Sequence, residues 1–335
     1  MKPNILTIVI PTFNRADYLE NLLLNIVTQK EISRINFDLI VLNNNSEDGT
    51  KKLLDKYKNN FPFWTFLNRS ENIGADANRL DALHLVKTKY CWIIGDDDLP
   101  MMGIISKVLE ILGSSRDIGL IYLEPYWTAN VKKIKSQKIK KTFFKLNNIQ
   151  LASRTNIMTT FISSWIFNLK KYKEIDINLT NAKTFINTDF IQLSWILPLL
   201  ESKGLTYYSS RGSYILATKD NTNPYKILDS FLFVFPETVN KLISDKLIQD
   251  KLLINFLSFY MPKLILSVKT GFFKQNIKQN NKDIKISNQL KKYTVFFILI
   301  KPILFISDYI PIQVIQVLSK FLKIVKLFIF KFINF

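Results

Sequence analysis

The feature that most constrains the fold of this chain is the alternation of strand and helix patterns over its first 125 residues. Five short apolar runs of strand length are separated by segments in which apolar residues recur at helical spacing. The runs are Leu6–Ile10, Phe37–Leu42, Phe63–Leu67, Tyr90–Ile94 and Ile118–Leu123. Strands separated by helices of roughly ten to fifteen residues predict a parallel sheet covered on both faces. Ligands of such sheets bind at the carboxyl ends of the strands.

The length and the charge of the chain restrict its organisation and its partners. With 335 residues, it has room for one catalytic domain of roughly 220 residues and an appended segment. Its formal net charge of +19 favours anionic partners such as nucleic acid, anionic lipid or a phosphorylated substrate. The abundance of Lys, Asn, Ile and Phe is also what an A+T-rich genome produces, so the charge alone does not choose among these partners.

The single cysteine and the start of the chain bear on its compartment. Cys91 excludes an internal disulfide framework and fits a reducing compartment, and its apolar surroundings predict a buried thiol. Met1–Pro11 lacks the charged region and the long apolar region of a signal peptide. We therefore expect the chain in the cytoplasm.

The last quarter of the chain is strongly basic. Residues 251–335 contain 14 Lys against two acids. Val295–Ile306 is interrupted by a lysine and a proline and is shorter than the ~20 apolar residues that cross a bilayer. In Lys320–Lys331, four Lys lie within one arc of a helix and apolar residues fill much of the rest, which is typical of a helix at a membrane interface. We expect residues 290–335 to contact an anionic membrane surface; the alternative is a helix packed on the catalytic domain.

A polar loop, Ile10–Arg15, follows the first predicted strand. In it, Phe13 can stack on a nucleotide base and Arg15 can bind a phosphate or a ribose. The alternative is an ordinary strand-to-helix turn in which Asn14 caps the helix. The loop alone favours the ordinary turn.

Polar residues also follow the second and third strands. Three consecutive amides, Asn43–Asn45, crowd the end of the second strand, where Ser46 or Asp48 can also cap the next helix. After the third strand, Gly74 permits a close approach of the backbone to a ligand, and two polar side chains then face the start of a helix. These two are Asp76 and Asn78. The alternative is that they cap this helix, and the segment alone favours capping.

Three consecutive carboxylates, Asp96, Asp97 and Asp98, follow the fourth strand directly. Adjacent carboxylates repel one another, so holding them together without a cation costs free energy. Oxygen ligands of this kind suit Mg²⁺ or Mn²⁺, which bind through one or two carboxylates and substrate phosphates. An acidic solvated turn is the alternative, and the position after a buried strand favours the metal.

Four segments, in this order and spacing, resemble a known family. They are Thr7–Arg15, Leu42–Thr50, Asn72–Asn78 and Gly95–Asp98. Together they resemble the family 2 glycosyltransferases, and they are most similar to the abequosyltransferase-like group of bacterial surface-polysaccharide synthesis. The resemblance is close over residues 4–125 and extends over residues 126–220 in outline.

The resemblance implies the glycosyltransferase A fold, an α/β architecture with a Rossmann-like, mostly parallel sheet flanked by helices. It implies that residues 1–125 bind the donor and that residues 126–223 form the acceptor half of the same catalytic domain. Residues 224–335 lie beyond it, and we expect a helical extension with a basic amphipathic tail there.

The resemblance also assigns residues to the donor site. The set that would bind the nucleotide sugar is Pro11, Thr12, Phe13, Arg15, Asn43, Asn45, Asp76, Asn78, Asp96 and Asp97. Asp96 and Asp98 would hold Mn²⁺ or Mg²⁺, although which acidic pair holds the ion stays open. Asn43 stands where the family commonly has an Asp that hydrogen-bonds the base. Because an amide offers a donor that a carboxylate lacks, the identity of the base stays open too.

Family members of this type invert the anomeric centre in one displacement, in which a carboxylate base removes the proton of the acceptor hydroxyl. Our candidate for this base is Asp189, which stands among aromatic residues in a region poor in acids. Asp176 and Glu174 are alternatives, and Asp189 can also be a surface carboxylate or a helix cap. Ser163–Trp165 can line the acceptor site, where the Trp165 ring either stacks on a sugar or packs in the core.

The sequence therefore predicts an inverting hexosyl- or deoxyhexosyltransferase that uses a nucleotide-sugar donor and a saccharide acceptor, expected to be lipid-linked. We expect it to act in O-antigen or capsule synthesis, peripheral on the inner face of the cell membrane. One alternative is a nucleotidyltransferase for sugar phosphates, but Ile10–Arg15 does not resemble the Gly-rich basic loop it needs. Another is a basic nucleic-acid-binding protein, but the Lys residues lie mainly in the tail rather than among aromatic residues of the sheet.

Overall fold

The chain divides into two compact units, Met1–Asp220 and Asn221–Phe335. The computed structural model describes residues 3–60, 64–115, 117–128, 142–218 and 230–256. The predicted membrane-contacting tail, residues 290–335, lies outside the described residues.

The first four strands of unit 1 are parallel and alternate with helices. In chain order the elements are β1 (Leu6–Thr12), α1 (Ala16–Ser33), β2 (Asp38–Asn43), α2 (Thr50–Asn60), β3 (Thr65–Asn68), α3 (Ala75–Leu85) and β4 (Tyr90–Ile93). β1 pairs with β2 on one side and with β4 on the other, and β3 pairs with β2. These strands confirm the predicted alternation, because each begins and ends within two residues of its apolar run.

The rest of unit 1 extends the sheet beyond β4. The elements are β5 (Leu99–Pro100), α4 (Ile104–Ser114), β6 (Ile118–Thr128), β7 (Thr142–Leu146), α5 (Asn148–Thr155), β8 (Trp165–Asn168), α6 (Leu169–Ile175), α7 (Thr180–Lys183), α8 (Leu193–Glu201) and β9 (Thr206–Thr218), with short 3₁₀ turns at Asn156–Thr160, Ile162–Ser164 and Ile177–Leu179. The strand order is β3-β2-β1-β4-β8-β6-β9-β5, and β7 also pairs with β9.

The direction of the strands changes at β4. β8 is antiparallel to both β4 and β6, whereas β6 and β9 are parallel to each other. The fifth predicted strand forms as β6 but does not pair with β4, because β8 lies between them. The sheet is therefore mixed: its β1–β4 side is parallel as predicted, and helices flank it as in the predicted fold class.

The apolar pattern of the sequence explains why this frame is rigid. β1 is buried on both faces, as expected of a central parallel strand. One face of α1 is buried against the sheet. Its buried side chains recur at helical spacing, and they are Leu19, Leu22, Leu23 and Ile26. Burial of each such side chain stabilises the fold by roughly 1.5–3 kcal/mol, so the loop between β1 and α1 is anchored at both ends.

Unit 2 contains short helices in its described part. They are a π-helical turn at Ser230–Val234, α9 (Phe235–Leu242) and α10 (Lys246–Asn255). Asp245 caps α10, because its side chain accepts the backbone N–H groups of Leu247 and Ile248. No helix among the residues that the structure describes is long and apolar enough to cross a membrane.

Candidate active site

The carboxyl ends of β1, β2 and β4 meet at one edge of the sheet, because these strands are parallel neighbours. The backbone N–H of Asn44 donates to the carbonyl of Thr12 across 2.9 Å, which joins the loops after β2 and β1. After β4, the N–H of Asp98 donates to the carbonyl of Gly95 across 3.0 Å and closes a tight turn. We call Gly95–Asp98 the acid turn.

Asp96 faces the β1 side of the acid turn. Its carboxylate accepts the hydroxyl of Thr12 at 2.7 Å and the guanidinium of Arg15 at 3.2 Å, and the residue is only 5% exposed. The same guanidinium donates to Asp97 at 2.9 Å. An ion pair and a hydrogen bond thus join the loop after β1 to the acid turn, and they bring together four residues of the predicted donor-site set: Thr12, Arg15, Asp96 and Asp97.

Asp98 faces the opposite side of the acid turn. Its carboxylate, also 5% exposed, accepts the hydroxyl of Ser163. The Ser163 oxygen in turn accepts the N–H of Gly95 at 2.9 Å, and the carbonyl of Ser163 accepts the indole N–H of Trp92 at 2.8 Å. Ser163, which the sequence suggested for the acceptor site, therefore holds the acid turn in place.

Gly95 is needed because the carboxylates crowd its Cα. A Cβ at this position would lie 3.1 Å from an oxygen of Asp97, 3.1 Å from an oxygen of Asp98 and 3.4 Å from the hydroxyl oxygen of Ser163. Oxygens from two carboxylates thus gather over one backbone position that has no side chain of its own.

Burial controls the charge of this cluster. Burial raises the pKa of Asp96 to about 6, although the Arg15 guanidinium and the Thr12 hydroxyl oppose that rise. Burial also lowers the pKa of Arg15, but Asp96 and Asp97 outweigh it and hold that pKa above its ordinary value. The Arg15 guanidinium thus offsets the charge of two adjacent carboxylates, Asp96 and Asp97.

The acid turn fits a divalent cation. Its donors are carboxylate oxygens, the hard ligands that Mg²⁺ and Mn²⁺ prefer. Within the described residues, no three side chains of His, Cys, Asp or Glu form a cage that could hold an ion by themselves. An ion at Asp96 and Asp98 would therefore complete its coordination with water and substrate oxygens, as Mg²⁺ commonly does.

The loop that carries Asp189 is attached to the donor side by Asp76. One carboxylate oxygen of Asp76 accepts the consecutive backbone N–H groups of Thr188 and Asp189, both at 3.1 Å. The other accepts the guanidinium of Arg79 at 3.2 Å. Asp189 has a left-handed backbone with φ of 65°, so its conformation depends on such support. The structure therefore joins two of the predicted site residues, Asp76 and Asp189.

With this geometry in hand, the chain can be compared with known proteins. Residues 7–175, half of the chain, match the family model described as glycosyl transferase family 2. The chain belongs to this family. It is 35% identical over 117 residues to the abequosyltransferase RfbV of Salmonella typhimurium, a match that covers 35% of each chain. The match thus spans about a third of that relative's length.

Two solved structures show that this family 2 glycosyltransferase has the fold expected of it. S. aureus TarS 1–349 in complex with UDP-GlcNAc superposes with a TM-score of 0.55 at 15% identity, over 76% of this chain and 71% of that one. The mannosyltransferase PcManGT from Pyrobaculum calidifontis, in complex with GDP-Man and Mn²⁺, gives 0.52 at 13% identity, over 95% and 87%. At these identities the likeness concerns the fold, and it confirms the glycosyltransferase A architecture.

In this family 2 glycosyltransferase the amides after β2 bind the protein itself. The amide N–H of Asn43 donates to Asn68 at 2.8 Å, and its oxygen accepts the N–H of Ser46 at 3.0 Å. Asn44 likewise donates to Asn72 at 2.7 Å. Asn45 is exposed and has a left-handed backbone with φ of 62°. Two of the three amides thus join the loops after β2 and β3, and nucleotide contacts by Asn43 and Asn45 stay predictions.

Capping of α1 differs from the alternative that the sequence offered. Asn14 does not cap α1, because its side-chain oxygen accepts the N–H of Glu47. Asp48 takes that place: one oxygen accepts the N–H of Ala16 at 3.0 Å, and the other accepts the N–H of Thr50 at the start of α2. One carboxylate therefore fixes the start of two helices, and Phe13, which is 41% exposed, stays on the surface beside the acid turn.

The alternatives to Asp189 as the base have other contacts. Asp176 is 3% exposed and accepts the Tyr172 hydroxyl at 2.8 Å, together with two backbone N–H groups. Glu174 is exposed and pairs with Lys171 at 3.0 Å. Trp165 is 1% exposed and donates its indole N–H to the carbonyl of Met158, so it packs in the core and does not stack on a sugar.

A cleft of about 570 Å³ opens beside the end of β3. It is lined by Leu42, Leu67, Asn68, Arg69, Ser70, Glu71, Ile73, Asp81, His84 and Leu85. Sequence reasoning missed Arg69, which donates to Asn78 at 2.8 Å and to Asp81 at 2.9 Å. Its place directly after β3 was the available signal. Asn78, predicted to bind the donor, is 2% exposed, and its amide group contacts Arg69 and the carbonyl of Leu42.

The single cysteine is buried as predicted. Cys91 is 0% exposed within β4, and burial raises the pKa of its thiol. A thiol of this kind is protonated at neutral pH and inert.

Proposed function

We propose that the protein transfers a hexosyl or deoxyhexosyl residue from a nucleotide diphosphate sugar to a hydroxyl of a saccharide, with inversion at the anomeric carbon. The observation that carries the proposal is the acid turn: two buried carboxylates, Asp96 and Asp98, follow the parallel strand β4, and Arg15 pairs with Asp96 and with the Asp97 between them. Such an arrangement suits a diphosphate and its cation. The cation is positive and can bind the carboxylates, and the diphosphate is negative and can bind the guanidinium.

The residues of the donor side have distinct roles in this proposal. Phe13 stacks on the base and Arg15 binds the diphosphate, and Asp96 and Asp98 would hold Mn²⁺ or Mg²⁺. When bound, that ion supplies positive charge against the charge of the departing diphosphate. Two structural neighbours support this assignment, since TarS was solved in complex with UDP-GlcNAc and PcManGT in complex with GDP-Man and Mn²⁺.

The chemical step needs a base on the other side of the acid turn. Asp189 takes the proton of the acceptor hydroxyl as that oxygen bonds to the anomeric carbon of the donor. The bond from that carbon to the diphosphate oxygen breaks at the same time, and the electron pair leaves with the nucleoside diphosphate. The proposal is supported by the attachment of the Asp189 loop to Asp76, at the start of α3 on the donor side.

We further propose that residues 1–125 bind the donor, that residues 126–223 bind the acceptor, and that residues 224–335 are a helical extension. The name of the Salmonella relative, an abequosyltransferase, supports a role in bacterial surface-polysaccharide synthesis. A lipid-linked acceptor and a peripheral position on the inner face of the membrane would follow from the basic tail, residues 290–335.

The donor assignment is tested with UDP-, dTDP-, CDP- and GDP-sugars in the presence of Mn²⁺ or Mg²⁺. We expect at least one sugar nucleotide to raise the melting temperature and to be hydrolysed slowly, in a metal-dependent way. Replacement of Asp96, Asp97 and Asp98 by Ala should abolish both effects, whereas Asp55→Ala, at an exposed position of α2, should preserve them. A folded triple variant that binds sugar nucleotides like the wild type would refute the assignment.

The membrane assignment is tested by sedimentation with vesicles that contain anionic lipid. The full chain should sediment with them in a salt-sensitive way, because attraction between Lys and anionic headgroups is screened by salt. A chain that ends at residue 289 should stay in the supernatant. If the shortened chain still sediments, residues 290–335 are not the anchor.

A further inference from the structure

An exposed aromatic side chain stands at the same sheet edge as the acid turn, on its acceptor side. β8 runs opposite to β4 and β6 runs opposite to β8, so β6 runs in the same direction as β4. The last residues of β6 therefore reach the edge at which β4 ends in the acid turn. There, Trp127 is 42% exposed, although most large apolar side chains of this sheet are buried.

Trp127 is connected to the acid turn through two contacts. Its ring packs against Phe161, with 4.8 Å between ring centroids and 54° between ring planes. Phe161 lies two residues before Ser163, the residue whose hydroxyl donates to Asp98. The indole is thus supported by the segment that holds the acid turn.

Strand pairing gives the approximate distance between the strand of Trp127 and the residue that follows the acid turn. Its neighbour Tyr126 pairs with Leu216 of β9, and Leu216 pairs with Leu99, which directly follows Asp98. Two strand spacings of roughly 4.8 Å each put the Tyr126 and Leu99 backbones about 10 Å apart. Because β9 lies between these two backbones, a sugar that contacts both the indole and the acid turn would lie on the face of the sheet, across β9.

The end of β6 is redirected by a bulge. The pairing between β6 and β9 shifts register on both sides of Glu124. The bulge is fixed, because the N–H of Glu124 donates to the Ser210 hydroxyl at 2.8 Å and its carboxylate accepts the N–H of Gly212 at 3.1 Å. Bulges commonly re-aim side chains beside active sites. The exposure of Trp127 is therefore built into the strand.

We propose that Trp127, supported by Phe161, is the platform on which the acceptor saccharide stacks. The inference rests on the proposed function, and it identifies the side of the acid turn on which the acceptor binds. Phe13 lies on the other side of β4, after β1, and is an exposed aromatic side chain of the donor side. An indole face matches the apolar C–H face of a pyranose, while the sugar hydroxyls stay in water.

The test uses the full chain and a panel of methyl glycosides, because such probes lack an aromatic aglycone that would stack by itself. Saturation-transfer NMR should detect binding of at least one methyl glycoside to the wild type. Trp127→Ala should weaken that binding by about tenfold, and Trp127→Phe should restore most of it. Tyr126→Ala is the matched control, since Tyr126 is 50% exposed at the adjacent position but points to the other face of the strand.

Two further measurements separate this inference from the proposed function. The rise in melting temperature caused by a sugar nucleotide should be the same for Trp127→Ala and the wild type, which shows that the variant is folded and binds donor. Glycoside binding is measured without any donor, so it stays readable even if no sugar nucleotide binds. Equal glycoside binding by Trp127→Ala and the wild type, or no glycoside binding by the wild type, would overturn the inference.

Discussion

The charge of Asp96 gives the most quantitative prediction. Burial raises the pKa of this carboxyl to about 6 from its ordinary value of 3.8, so the folded protein holds the proton more tightly than the unfolded chain does. The stability that the group contributes is therefore complete below about pH 4 and is lost as the pH rises through 6. At 1.36 kcal/mol for each pKa unit, the loss amounts to about 3 kcal/mol at pH 7.

Substitution of Asp96 by Asn removes this dependence on pH. Between pH 4 and pH 7.5, in the presence of EDTA, the wild type should lose about 2 kcal/mol of stability relative to Asp96→Asn, because a carboxyl of pKa 3.8 is already partly ionised in the unfolded chain at pH 4. Mn²⁺ should restore stability to the wild type at pH 7.5, because it binds the ionised carboxylate, and this effect should fade below pH 6. The variant should respond to Mn²⁺ weakly at either pH.

Urea unfolding followed by tryptophan fluorescence suits this measurement, because all five Trp residues lie in the unit Met1–Asp220. Asp55→Asn serves as the control, since Asp55 is exposed and its substitution should leave the pH profile of the wild type unchanged. Parallel pH profiles for the wild type and Asp96→Asn would show that Asp96 is not a buried carboxyl with a raised pKa. The account of the acid turn given above would then be wrong.

Four further substitutions test the contacts around the site. Gly95→Ala should weaken Mn²⁺ and nucleotide binding about tenfold in calorimetry, because the added Cβ would displace the carboxylates of Asp97 and Asp98. Gly113→Ala is the control and should bind like the wild type, because its added Cβ meets nothing within 4 Å. Ser163→Ala should also weaken Mn²⁺ and nucleotide binding. Unchanged affinity would show that the acid turn keeps its conformation without the Ser163 hydroxyl. Asp76→Ala leaves two backbone N–H groups without this acceptor, at about 1–3 kcal/mol each, and should lower both stability and kcat; an unchanged kcat would show that the Asp189 loop keeps its position without Asp76. Asp189→Asn should lower kcat by roughly 10²–10⁴-fold with the same thermal shift, and a kcat equal to that of the wild type would exclude it as the base.

The strands of the donor side could be predicted because their information is local. β1, β2 and β4 are buried on both faces, so each is a nearly continuous apolar run. β5 has only two residues, too few for any local pattern, and β8 has four. The place of β8 between β4 and β6 depends on tertiary pairing, which no local segment encodes. This is why the position of β8 beside β4 was not predicted.

The same difference applies to the site. Three adjacent acids after a strand are visible in the sequence, but the partner of Asp98 is Ser163, 65 residues further on. Asp76 was assigned to the donor from its position before a helix, and its contacts with residues 188 and 189 span more than a hundred residues. Trp165 was considered as a sugar platform because aromatic residues near a site suggest stacking. Its burial leaves the exposed Trp127 as the better candidate, and exposure is a property that sequence spacing does not reveal.

The position of the acid turn follows from the change of strand direction at β4. A ligand site at a sheet edge needs loops from both sides, and β4 is the strand whose neighbours differ: parallel β1 on one side and antiparallel β8 on the other. On the parallel side, strand ends deliver Thr12 and Arg15 to Asp96. On the antiparallel side, β8 begins at this edge and runs away from it. Ser163 precedes the start of β8 by two residues in the chain and therefore lies beside Asp98. Asp96 thus contacts the parallel half of the sheet and Asp98 contacts the antiparallel half. A movement between the two halves would change the separation of these two carboxylates. The affinity for a cation would change with that separation.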